Sequence, residues 1–171
     1  MALEVIDVDD EHIVGTYSAL LVVIWGVRTR PEKVAVFIEQ ARTFVAKWSR
    51  VAMIVVVEPN SELPSKETRK KLEELVDVVI PKTVALVYVF EGTGLRAIAT
   101  RTLMTALSMV GPPSTKQHKI ARTIDEGLDW LVPHLAGPEF GDEAERRKAV
   151  FELQRRFDDH RAKPAAKRDA S

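Results

Sequence analysis

The sequence predicts an α/β fold: a mixed, mostly parallel sheet that starts with an antiparallel strand pair. Three observations predict it. Apolar runs at Leu20–Val27, Val51–Val57 and Thr83–Phe90 are each followed by an amphipathic stretch, which is how a helix-covered sheet is encoded. Two shorter, loosely alternating segments precede the first run. The alternation closes on Thr123-Ile124-Asp125-Glu126-Gly127-Leu128-Asp129-Trp130-Leu131, which reads as a capped amphipathic helix.

Glu4–Val8 and His12–Ser18 form the opening pair, with Asp9-Asp10-Glu11 as the turn. Leu20–Val27 is apolar without alternation, as a central strand buried on both faces is. A first helix starts near Pro31. Thr29-Arg30-Pro31-Glu32 has capping-box spacing, although Pro31 disfavours helical geometry at Arg30, and Val34, Phe37, Ile38, Ala41, Phe44, Val45 and Trp48 recur at helical spacing. Val51–Val57 is rich in β-branched residues and predicts a strand.

Glu58–Pro64 is a loop, and Ser65 is the N-cap of a second helix reaching Val79, with Leu72, Leu75, Val76 and Val79 as its buried stripe. Pro81 ends it. Thr83–Phe90 is a third buried strand, and Glu91-Gly92-Thr93-Gly94 a sharp strand-to-helix turn. A helix is predicted over Leu95–Val110, broken by Gly111-Pro112-Pro113-Ser114. Lys119–Thr123 reads as a short edge strand. The helix that follows buries Leu128, Leu131 and Leu135, and Pro133 kinks or shortens it. Gly137–Asp142 is a linker and Asp142–His160 a charged amphipathic helix with a thin stripe of Val150, Leu153 and Phe157. The expected organisation is a domain over 1–137, linker and helix over 138–160, and a disordered tail over 161–171.

The 171 residues suffice for one domain with its own core, and 46% hydrophobic and 29% charged residues are ordinary for a globular chain. Zero net charge lacks the basic excess of a dedicated nucleic-acid binder. With no cysteine, disulfides, thiolate metal sites and thiol nucleophiles are excluded, which suits a reducing compartment. Met1–Asp7 turns acidic where a secretion signal would be basic and then apolar. Leu20–Val27 falls far short of the ~20 apolar residues of a transmembrane helix. The expected location is the cytoplasm.

The leading strand pair, the strand–helix alternation and the phrase His118–Leu131 resemble the SpoIIAA-like proteins. These share the STAS fold, named for sulfate transporters and anti-sigma factor antagonists. The resemblance covers Glu4 to Ala136. It implies a mixed sheet with helices mainly on one face. It also implies protein–protein regulation or, in some relatives, binding of an apolar ligand or lipid. Phosphorylated antagonists carry an Asp-Ser-Ser/Thr-Gly type signature where a strand meets the second helix. Here that place reads Glu58-Pro59-Asn60-Ser61-Glu62-Leu63-Pro64-Ser65, and Ser65 matches in position only.

Each candidate site has a functional and an ordinary reading. Ser65, and Ser61 beside it, would be phosphoacceptors at a helix N-terminus, or Ser65 is simply a cap. Gly92, Thr93 and Gly94 would hold an anion on exposed amides, or form a tight turn; Ala97 replaces the third glycine of a dinucleotide fingerprint. Leu103, Met104, Leu107, Met109 and Val110 wrap most of a helix, which then packs on several sides or forms a dimer interface or apolar-ligand groove. His12, His118, His134 and His160 are scattered without metal-ligand spacing, and His12 with Asp9, Asp10 and Glu11 would bind a cation weakly or, as the ordinary reading, forms a solvated turn. No Gly-x-Ser-x-Gly elbow or other catalytic constellation is legible, so no enzyme activity, metal or cofactor is expected. The basic clusters Arg146–Lys148 and Arg155–Arg156 are offset by Glu143, Glu145, Glu152, Asp158 and Asp159, which argues against membrane or DNA binding. The last helix instead docks Val150, Leu153 and Phe157 on its own domain or on a partner. The expected function is a non-enzymatic regulatory module that binds a protein, a second copy of itself included. A carrier of an apolar small molecule is the alternative.

Overall fold

The computed structural model describes residues 2–91 and 117–163. The strands β1 (Glu4–Val8), β2 (His12–Tyr17), β3 (Leu20–Trp25), β4 (Val51–Val57), β5 (Thr83–Phe90) and β6 (His118–Ala121) form one sheet in that order. β1, β2 and β3 pair antiparallel; β3 to β6 pair parallel. This is the mixed α/β sheet that the apolar runs predict. The anion-turn residues Gly92, Thr93 and Gly94 and the apolar set Leu103, Met104, Leu107, Met109 and Val110 lie outside the described residues.

β3 and β4 build the centre. Side chains alternate across a strand, so Leu20, Val22 and Ile24 enter one core while Leu21, Val23 and Trp25 enter the other. β4 divides likewise, with Ala52, Ile54 and Val56 opposite Val51, Met53 and Val55. Both sheet faces therefore need cover. α1 (Pro31–Lys47) and α2 (Lys66–Val79) supply it on one side. α3 (Ile124–Leu131) and α4 (Glu143–Ala162) supply it on the other. The arrangement with helices mainly on one face, implied by the SpoIIAA-like resemblance, is thus not what the described helices adopt. Leaving either face open would expose a row of Val, Leu and Ile side chains, each worth about 1.5–3 kcal/mol when buried.

Local chemistry sets the element ends. The capping box at Thr29–Glu32 does not form. Arg30 is the N-cap residue, with φ −94° and ψ 144° and no side-chain cap; the Pro31 ring pushes its predecessor into this extended region. At the other end of α1, Lys82 Nζ donates to the carbonyls of Val45 (2.7 Å) and Trp48 (2.9 Å). Asp142 caps α4 through the Glu145 amide. α3 stops at Leu131 and continues as one 3-10 turn, Val132–His134, because Pro133 lacks the amide that an α-helix needs.

The segment read as a linker is built into the core. Phe140 is fully buried. The Glu139 carbonyl accepts from the Ala19 amide (2.9 Å) and from the Ser18 hydroxyl. Arg146 donates to the Phe140 (3.0 Å) and Gly141 (2.6 Å) carbonyls. Val150, Leu153 and Phe157 are buried in the core under β1–β3, so the stripe of α4 docks in cis. The core therefore runs through position 137 without a break, and Arg161 and Ala162, expected in the tail, belong to the last turn of α4.

Candidate functional site

The carboxyl ends of β3, β4 and β5 lie side by side, with Trp25 opposite Val57 and Val57 opposite Phe90. In open α/β sheets this edge is where ligands bind. Two loops leave it here, 26–30 after β3 and 58–65 after β4. They are fastened to each other along their length. The Glu58 amide donates to the Trp25 carbonyl (3.1 Å), the Ser61 hydroxyl to the Gly26 carbonyl (2.6 Å) and the Glu62 amide to the Val27 carbonyl (2.6 Å). The Thr68 hydroxyl reaches the Thr29 carbonyl at 3.3 Å, and Arg28 lies 3.7 Å from Glu62. The result is a two-loop platform. On it Val27 is 48% exposed and Leu63 65% exposed, and the Val27 carbonyl accepts from the amide of Glu62, the residue before Leu63.

Ser65 stands at the rim of this platform, exposed, at the start of α2. Its oxygen accepts from the Thr68 amide at 3.1 Å, so the cap is made. Ser61 is half-buried and its hydroxyl is engaged by Gly26.

The last turn of α4 meets the platform from the other face of the sheet. Arg161 grips the Glu58 carboxylate with both terminal nitrogens, at 2.8 and 2.6 Å, while its guanidinium lies 4.3 Å from the Phe157 ring centroid. The fork geometry matches a carboxylate and makes this a strong class of ion pair. Arg161 also reaches Asp158 at 3.2 Å. Glu91, the residue after β5, completes the group. Burial, then the charges of Glu58 and Asp158, raise its pKa against the lowering effect of the Ile124 amide.

A second polar network lies under the β1–β2 turn. Here the structure overturns the solvated-turn reading of His12, which is fully buried. Its Nε2 lies 3.2 Å from Asp7 and its Nδ1 3.0 Å from Asp9, with the Trp25 ring at a centroid distance of 5.1 Å. Asp9 ties the turn together. One of its oxygens accepts from the amides of Glu11 (2.7 Å) and His12 (2.9 Å), and the other is 2.6 Å from Lys33 Nζ. Burial opposes the charge of Asp9, yet Lys33, the two amides and His12 together hold its pKa below the usual value. Arg30 pairs with Glu11 at 2.8 Å alongside. The network is closed to solvent at the imidazole and serves to fasten β1, the turn and α1.

Elsewhere His134 sits beside Trp130, and His160 is 3.6 Å from Asp10. A shallow open groove between α1 and α2 is lined by Arg42, Val45, Ala46, Glu74, Asp77 and Val78. Among the described residues no set of three His, Asp or Glu side chains is grouped to hold a metal ion, and no helix is long and apolar enough to cross a membrane. No family model, curated protein or solved structure matches this chain.

Sequence reasoning missed the exposure of Val27 and Leu63 on the two loops, the burial of His12 and the role of Arg161. A signal for the last existed. Val150, Leu153, Phe157 and Arg161 recur at spacings of three and four, which puts all four on one helix face.

Proposed function

We propose that the protein is a non-enzymatic, cytoplasmic regulatory module of the STAS/SpoIIAA-like kind, and that it acts by binding a protein partner through the two-loop platform. One observation carries the reading. Loops 26–30 and 58–65 are held by backbone and hydroxyl hydrogen bonds, yet present Val27 and Leu63 to solvent. A single exposed apolar side chain means little. Two held on a fixed backbone offer a partner apolar area whose ordering entropy is already spent, which favours affinity. Ser65 at the rim would add a switch: a phosphate there would meet the N-terminal amides of α2 and change the charge that a partner meets.

The test is Val27→Asp with Leu63→Asp. Both sites are exposed, so stability should change by no more than ~0.5 kcal/mol each. Cross-linking in native cells should recover a defined partner with the unaltered chain and lose it with the double variant. Equal recovery with both would refute the platform as the contact. A small molecule retained in native mass spectrometry would favour the carrier reading instead.

A further inference from the structure

Resting on that reading of the platform, we propose that the last turn of α4 is a clasp: Arg161 holds Glu58, and through it the 58–65 loop, in the shape that a partner meets. Glu58 is where the loop is set. Its amide is bound to Trp25, its carbonyl accepts from the Ser61 amide at 3.1 Å, and its carboxylate is bound twice by Arg161. The carboxylates of Glu58 and Asp158 both contact Arg161, and Glu91 senses the charge of each. Without the guanidinium these like charges repel one another. Relief comes from moving the loop away from α4, since Glu91 directly follows β5 and Asp158 sits on a packed helix.

The rest of α4 does not depend on this grip. Val150, Leu153 and Phe157 remain buried under β1–β3. A close fit at Gly26 supports the clasp independently: a β-carbon there would stand 3.2 Å from Phe157 Cζ and 3.5 Å from Arg161 Nη1, so helix and loop approach where the residue has no side chain. Docking of this turn and binding of a partner to the loop are then linked, and each shifts the other by the same factor.

Amide hydrogen exchange on the full chain tests this without a partner, so its outcome is separate from that of the Val27/Leu63 experiment. Arg161→Gln should speed exchange at the Ser61 and Glu62 amides by about tenfold, while Ile54 and Val55 in β4 keep their protection. Adding Glu58→Gln should return part of that protection, because the uncompensated carboxylate drives the loop away. Unchanged exchange at Ser61 and Glu62 in Arg161→Gln, or a rise shared equally by β4, would overturn the clasp.

Discussion

Leu153 on α4 fills the space that a side chain at Gly15 on β2 would occupy: a β-carbon at position 15 would lie 2.7 Å from Leu153 Cδ1 and 3.1 Å from the Glu4 carbonyl oxygen. Helix and strand approach this closely because position 15 is bare. Gly15→Ala should therefore destabilise the fold by about 1–3 kcal/mol, the usual cost of overpacking a core. Leu153→Ala in the same chain should recover part of that loss, so a double-mutant cycle in urea would show coupling between the two sites. Additive losses would mean that α4 adjusts freely over β2.

His12 makes the β1–β2 corner dependent on one side chain. His12→Ala would leave Asp7 and Asp9 without the ring between them and open a cavity beside Trp25. Both carboxylates are partly exposed, which moderates the penalty of a broken pair. We expect a loss of about 2 kcal/mol in chemical denaturation. His12→Phe should lose less, since it refills the space beside Trp25 and forfeits only the hydrogen bond between Nε2 and Asp7.

Acid should weaken this corner. A carboxylate held below its ordinary pKa contributes stability above the unfolded value, and that contribution is lost as pH falls through the folded value. Asp9 behaves so, starting from 3.8. Asp9→Asn should lower the thermal midpoint at neutral pH and flatten its fall in acid. Glu91 has the opposite sign. Raised from 4.5, chiefly by burial, it contributes stability in acid that is lost as pH rises. Glu91→Gln should thus raise the midpoint at neutral pH, with the gain fading in acid.

Ser65 caps α2, so Ser65→Ala should cost about 1 kcal/mol of stability. Ser65→Asp keeps an acceptor at the cap and adds negative charge where a helix N-terminus favours it. Its midpoint should stay near that of the unaltered chain, which separates the cap from any effect on partner binding.

Elements were legible because they are encoded locally. Each described strand begins and ends within two residues of its apolar run, and Ser65 and Thr123 cap the helices that they precede. Alternation and helical spacing are properties of a few neighbouring residues, so composition in a short window decides them. Which face each helix covers is another matter. Leu21 and Leu20 are interchangeable as text, and long-range packing alone assigns one to α1 and α2 and the other to α3 and α4. The site is of this second kind. His12 is buried because Trp25 pairs with it from β3 and Lys33 on α1 closes over Asp9. Arg161 meets Glu58 across 103 positions of chain, and Val27 meets Glu62 from another loop. Such contacts depend on how the sheet stacks its loops at one edge; helical spacing puts Arg161 on the buried face of α4 but does not name Glu58 as its partner.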